Sequence, residues 1–135
     1  VVGELKVPYI LMSVQPTLAK MMKGFAREVQ QLRDLGAKDI ILDPGFCFGK
    51  NLIQNYQIYD EMEKLNVMEL PVLVGISRKS MIHKLLGGDA TLSLNGTAVL
   101  DTIALMKGAS ILRVHDVKEA AEAVKIVEAM KEGRV

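Results

Sequence analysis

The chain has 135 residues, half of them apolar and about a quarter charged, which suits one soluble domain with a core of its own. Seventeen basic residues against sixteen acidic ones leave a net charge of +1, so no long-range field for nucleic acid is expected and only a local anion pocket remains open. No apolar run approaches the ~18 residues of a membrane span, no signal peptide is visible, and the single cysteine, Cys47, excludes an internal disulfide, so a reducing cytoplasm is the expected location and no membrane an expected partner.

Val1 to Lys6 opens mid-pattern, without a cap or start signal, as expected either of a removed tag or disordered terminus or of a segment excised from a longer protein. The first predicted strand is Tyr9 to Met12, after Pro8. A helix follows from Thr17 or Leu18 to Leu35, with Gly36 as its C′ residue. Leu18, Met21, Met22, Phe25, Val29, Leu32 and Leu35 keep a helical period and are core candidates. The second strand, Ile40 to Asp43, runs into a glycine-rich loop, and Gln54 to Leu65 then reads as a less regular amphipathic helix. Val72 to Ile76 is the third strand. A helix beginning near Arg78 or Lys79 carries Met81, Ile82, Leu85 and Leu86 up to a break at Gly87-Gly88-Asp89. A further helix, Leu94 to Lys107, presents Val99, Ile103 and Met106 and stops at Gly108. The fourth strand is Ile111 to Val114. The last helix starts at Asp116, whose spacing to Glu119 is that of a capping box, and continues through Ala120, Ala121, Ala123, Val124, Val127, Ala129 and Met130.

Short apolar strands separated by helices predict a parallel sheet covered by helices. Strand starts lie roughly 30 to 40 residues apart, the size of one βα unit. Four such units suit either a small open doubly wound sheet or half of a (β/α)8 barrel, which needs about 250 residues.

Polar residues gather where three strands end, and strand ends are where α/β proteins build sites. Asp43 precedes Pro44-Gly45; its carboxylate either shapes the turn or accepts paired N–H bonds from a guanidinium-like edge. Gly45 to Asn51 is not a P-loop: three residues, not four, separate the glycines, and Asn51 follows Lys50 where Ser or Thr is needed. Phe48 in that loop can pack on a flat ring or anchor the loop. Ser77-Arg78-Lys79-Ser80, at a strand-to-helix passage, is either a solvated basic turn or an anion site, and Gly75 before it lets backbone approach a ligand closely. Arg113 and His115, two apart on a strand, share one face and suit a phosphate; the alternative is an Arg–Asp ion pair beside a surface His. One Cys and two His far apart make no zinc site, and no metal ligands are assigned. The methionines read mainly as core filler, and Asn95-Gly96-Thr97 as a sequon without a secretory signal.

Asp43-Pro44-Gly45-Phe46-Cys47-Phe48-Gly49-Lys50, Ser77-Arg78-Lys79-Ser80 and Arg113-Val114-His115-Asp116-Val117 together resemble the dihydropteroate synthase family of pterin-binding enzymes, over nearly the whole chain but only the second half of the enzyme. The resemblance implies the C-terminal half of a (β/α)8 barrel, strands five to eight with their helices, spanning residues 1–135. It implies condensation of p-aminobenzoate with a dihydropterin pyrophosphate, releasing pyrophosphate, with Mg2+ held by the absent N-terminal half. By motif position, Asp43 takes the pterin edge, Lys79 contacts the pterin, Ser80 approaches the p-aminobenzoate carboxylate, and Arg113 and His115 face the pyrophosphate, with Arg113 also over the ring. Lys79, Arg113 and His115 are then the catalytic set, and Phe48, Gly75 and Met12 further substrate contacts. Cys47 stands where the family commonly has Gly, and Leu11-Met12-Ser13-Val14 lacks the His of the family's Leu-Met-His-Met. Family members form homodimers, so a homodimer is expected. Two rival readings remain: a methyltransferase-type pterin-binding module, and an α/β protein without catalysis.

Overall fold

Four parallel strands stand side by side in chain order in the computed structural model, which describes residues 7–76, 80–88 and 94–133. Strands β1 (Tyr9–Met12) and β2 (Ile40–Asp43) pair over their full length, and β3 (Leu73–Val74) pairs with β4 (Ile111–Leu112). A parallel bridge from Leu42 to Val72, with the Leu42 N–H donating to the Pro71 carbonyl at 2.9 Å, joins the two pairs. Helix α1 is Leu18–Asp34, α2 Leu52–Asp60, α3 Ser80–Leu86, α4 Leu94–Met106 and α5 Val117–Glu132; a 3-10 helix, Met62–Met68, follows α2.

Helix α1 forms as its sequence predicts. Thr17 accepts the Lys20 N–H at its start, and Leu18, Met21, Phe25 and Val29 bury one stripe. Full burial of each such side chain stabilises by about 1.5–3 kcal/mol. At the far end Gly36 adopts φ 97°, its N–H reaches the Arg33 carbonyl and the Ala37 N–H reaches Leu32, a Schellman closure. Leu35 is the C-cap of that turn and stays 64 % exposed, so it leaves the predicted core.

Elsewhere tertiary packing corrects the pattern. The single helix predicted for Gln54–Leu65 is two pieces. Met62 and Leu65 are buried and Met68 partly so, and this three-residue spacing suits a 3-10 winding better than an α one. Helix α4 buries Gly96, Thr97, Leu100, Asp101, Ala104 and Leu105, while Val99 and Met106 face out. Both stripes are apolar enough, but only the small-residue one fits under α3: a Cβ on Gly96 would lie 2.4 Å from Ile82 Cγ2. Leu85 and Leu86, one turn beyond Met81 and Ile82 at the end of α3, are exposed, although Leu86 Cδ1 also lies 3.2 Å from where that Gly96 Cβ would be. Asp116 precedes α5 but makes no side-chain cap, its backbone (φ −104°, ψ 83°) lying away from the extended geometry that swings a cap over the first turn. The capping box that does form, Asn51 with Gln54, opens α2.

Alternation along the strands sorts the sheet into two faces. Leu11, Ile40, Leu42, Val72 and Val74 point to the helices and are buried. In register the opposite face carries Ile10 and Ile41, then Met12, Asp43, Leu73 and Ile111, and then Gly75 and Arg113 at the carboxyl ends of the last two strands. Ile10 and Ile111, on the two outer strands, are 46 % and 38 % exposed, so this face forms an open trough rather than a closed core.

Candidate functional site

Asp43, at the carboxyl end of β2 on this face, is 2 % exposed. Its Oδ1 accepts the Gly45 N–H at 2.8 Å, and Arg113 donates through a terminal guanidinium nitrogen to Oδ2 at 3.4 Å. The turn-forming role and the Arg–Asp pair, each an alternative in the sequence, are therefore both present. Arg113 itself is 56 % exposed, so the pair is screened by water and contributes little stability, on the order of 0–1 kcal/mol. A contact that weak can yield to a ligand.

Gly75 lies directly against Arg113: a Cβ there would sit 2.9 Å from Arg113 Nε, so the bare backbone makes room for the guanidinium. The β4 ladder ends in the Arg113 N–H donating to the Val74 carbonyl at 2.9 Å, shorter than the predicted strand to Val114. Beyond it His115 lies exposed in a bend, so it does not share a strand face with Arg113. Strand β3 is likewise shorter than Val72–Ile76, with Val72 holding only a bridge.

Met12 stands beside Asp43 in register, 41 % exposed, with its Cγ at 3.0 Å from where a Gly45 Cβ would be. The loop between β2 and α2 then folds back over the end of β1. Gly45 (φ 62°) and Gly49 (φ 67°) are left-handed, and an added Cβ would lie 2.3 Å from the Ser13 carbonyl oxygen or 2.9 Å from that of Val14. Cys47 shares the left-handed region at φ 72°, where a residue with a Cβ is strained, which explains why the resembled motif commonly has Gly here. Phe46, 1 % exposed and packed 5.0 Å from the Tyr59 ring centre, anchors the loop, while Phe48 is 46 % exposed. Ser80 Oγ approaches Cys47 Sγ at 3.7 Å, which brings Ser80 to the same loop. Lys79, with Ser77, Arg78 and the predicted helix start, lies outside the described residues, as do Val1 to Lys6 and Asp89.

Sequence reasoning missed two participants. Lys50 Nζ donates to the carbonyls of Gly45, Phe48 and Ser13, and Asn55, 3 % exposed on α2, accepts the Cys47 N–H at 2.8 Å. The available signal was a polar Asn on the core-facing stripe of a helix that also carries Leu52, Ile58 and Tyr59.

Four parallel strands therefore place Met12, Asp43, Gly75 and Arg113 together at one end, the loop after Asp43 adds Phe48, and the start of α3 brings Ser80 to that loop. The family model of pterin-binding enzymes matches residues 1–115. The chain belongs to the pterin-binding enzyme family. Among its relatives, the dihydropteroate synthase of Escherichia coli K12 is 44 % identical over 113 residues, covering 82 % of this chain and 40 % of that protein. That of Bacillus subtilis is 33 % identical over 138 residues, covering 96 % of this chain and 48 % of the relative. A structure of Yersinia pestis dihydropteroate synthase with a pterine-sulfa conjugate superposes with a TM-score of 0.93 at 39 % identity, over 97 % of this chain and 54 % of that one. The Xanthomonas albilineans enzyme with 4-aminobenzoic acid gives a TM-score of 0.91 at 28 % identity, over 96 % and 51 %. The chain spans about half the length of these relatives, and its four βα units align to part of a dihydropteroate synthase barrel that they do not close by themselves. That decides between the two predicted architectures in favour of the barrel.

Proposed function

We propose that this chain supplies the pterin- and p-aminobenzoate-facing part of a dihydropteroate synthase, as strands five to eight of its barrel. The observation that carries the reading is the pairing at Asp43. A buried strand-end carboxylate already holds a guanidinium through a weak, half-exposed contact, and the 2-amino-4-oxo edge of a pterin offers the same paired donors. Met12 and Phe48 flank the ring, Lys79 contacts it, and Gly75 keeps Arg113 flat beside it. Ser80 takes the carboxylate of p-aminobenzoate.

In the reaction the amine nitrogen of p-aminobenzoate attacks the exocyclic methylene carbon of the dihydropterin pyrophosphate. The carbon–oxygen bond breaks, pyrophosphate departs with the electron pair, and the amine loses a proton. Arg113 and His115 stabilise charge on the departing group while Asp43 and Lys79 hold the ring, so catalysis is positioning and electrostatics rather than nucleophilic attack by a side chain. Among the described residues no group of three or more His, Cys, Asp or Glu could hold a metal, and both Asp43 oxygens have donors, so these residues do not fit a magnesium centre and no step is derived through one. Magnesium and the remaining Asn and Asp groups belong, in this reading, to the other half of the barrel, and these 135 residues alone do not turn over.

A homodimer fits the outer surface. Leu85, Leu86 and Val99 are exposed around a groove of about 330 Å³ between α2, α3 and α4, an apolar face that a second copy would cover. A cytoplasmic setting suits a chain whose only cysteine lies in the site loop, and no helix among the described residues is long and apolar enough to cross a membrane.

The test is a calorimetric titration of wild type, Arg113→Ala and His115→Ala with bare pterin and with pterin pyrophosphate. The expected outcome is that each substitution weakens the pyrophosphate-bearing ligand about tenfold or more, and the bare ring less. Equal losses for both ligands would remove Arg113 and His115 from the pyrophosphate.

A further inference from the structure

We propose that Lys50 and Asn55 are positioning residues that orient the Asp43 carboxylate toward the pterin edge by stapling its loop from two sides. The proposal rests on the synthase reading above. A lysine closing a glycine-rich loop suggests a ligand for phosphate, and here the geometry assigns it inward. Its ammonium carries three N–H donors, and three backbone carbonyls receive them: Gly45 at 2.8 Å, Phe48 at 3.0 Å and Ser13 at 3.3 Å. Ser13 follows β1, whereas Gly45 and Phe48 belong to the loop after β2. One side chain therefore ties the ends of two neighbouring strands together at the level of Met12 and Asp43.

Asn55 holds the other side. Its Oδ1 accepts the Cys47 N–H at 2.8 Å and its Nδ2 donates to the Asn51 carbonyl at 3.0 Å, and Asn51 itself caps α2. The loop needs such support because Gly45, Cys47 and Gly49 are all left-handed, a backbone with no ladder of its own to hold it. Gly45 links the staple to the site. Its N–H fixes Asp43 Oδ1 at 2.8 Å while its carbonyl is held by Lys50 at 2.8 Å and by the Phe48 N–H at 3.0 Å, so losing the ammonium leaves that carbonyl a single bond within the loop and loosens the hold on one oxygen of the acid. Neither Lys50 nor Asn55 has to touch the ligand for this.

The experiment compares the protein with its Lys50→Met, Lys50→Arg and Asn55→Asp variants. It reads amide hydrogen exchange at Gly45 and Cys47 together with calorimetric affinity for bare pterin. Met keeps the aliphatic stem but no donor, so both amides should exchange about tenfold faster or more, and pterin should bind about tenfold more weakly. Asn55→Asp keeps the acceptor for Cys47 and loses the donor to Asn51, giving a smaller shift in the same two readouts. Arg, whose flat fork cannot converge on three carbonyls as an ammonium does, should restore only part of the affinity. Pterin affinity within twofold of wild type in Lys50→Met, with the amides deprotected, would overturn the positioning role. Weakened pterin binding with unchanged protection would also overturn it, because Lys50 would then act as a direct contact. A wild type that does not bind pterin would instead overturn the synthase reading, and unchanged exchange in Lys50→Met would then overturn the staple separately.

Discussion

Asp43 and Asp101 are equally hidden, each 2 % exposed, yet their surroundings are opposite. Asp43, at a strand end, has a donor on each oxygen, from Gly45 and from Arg113. Asp101, in the core-facing stripe of α4, has an Oδ1 that is buried with no hydrogen-bond partner. Burial, helped by the nearby charge of Asp116, pushes its carboxyl up to about 6. Asp101 and burial together also raise the pKa of Tyr59, whose hydroxyl donates to the Leu100 carbonyl next to it. The comparison separates two uses of a buried acid. At the sheet mouth the fold supplies donors that a ligand can join or replace; between helices it supplies too few, and the acid costs stability.

The sharpest way to break this comparison is to remove Asp43. Asp43→Ala should weaken pterin binding about a hundredfold or more, since each hydrogen bond to a charged group is worth roughly 1.5–3 kcal/mol and the ring edge makes two. Its unfolding midpoint should change far less, because the Arg113 partner is half exposed. Retained pterin affinity by calorimetry would show that the acid serves only the turn.

Asp101 should behave in reverse. Its folded carboxyl titrates at about 6, above the ordinary 3.8, so the folded state favours the neutral acid. Relative to the unfolded chain, its contribution is fully favourable below about pH 4 and is lost as pH rises through 6, a penalty of up to about 3 kcal/mol near neutrality. Between pH 5 and 7.5 that amounts to about 1.4 kcal/mol. Urea unfolding of Asp101→Asn should show this pH dependence flattened and pterin affinity unchanged. An identical slope in variant and wild type would mean that Asp101 carries no such penalty.

The smallest effect concerns the loop that separates the two acids' fates. Cys47→Gly removes a side chain from a left-handed position, worth about 1–2 kcal/mol, and loses roughly half of that to the freer unfolded chain. A net gain of about 0.5–1 kcal/mol in thermal unfolding is expected, and a loss would show that the Ser80 contact outweighs the strain.

Much of this was legible in the residues. Tyr9–Met12 and Ile40–Asp43 were delimited by their own apolar runs and the Pro-Gly after Asp43, and α1 by its stripe and Gly36. Local chemistry sufficed because each signal lay within one turn or one strand of the residue it governed. The 3-10 winding at Met62–Met68 and the choice of buried stripe on α4 were not legible, because both depend on how closely another element approaches. The capping box of α2 joins Asn51, read with the glycine-rich loop, to Gln54, read as the helix start, so it spans the boundary between two sequence features.

The sequence by itself determined that the chain alternates strand and helix, that polar residues cluster at the strand ends, and which motifs stand at Asp43 and Arg113. These follow from periodicity and order along the chain, which need no third dimension. Only the tertiary structure decided that Arg113, seventy residues from Asp43, lies against it, that Gly75 is bare to admit a guanidinium, and that Lys50 turns inward to three carbonyls. Parallel pairing sets these partners: strands far apart in sequence come into register side by side, and which side chains then meet is fixed by the sheet and not by their spacing along the chain.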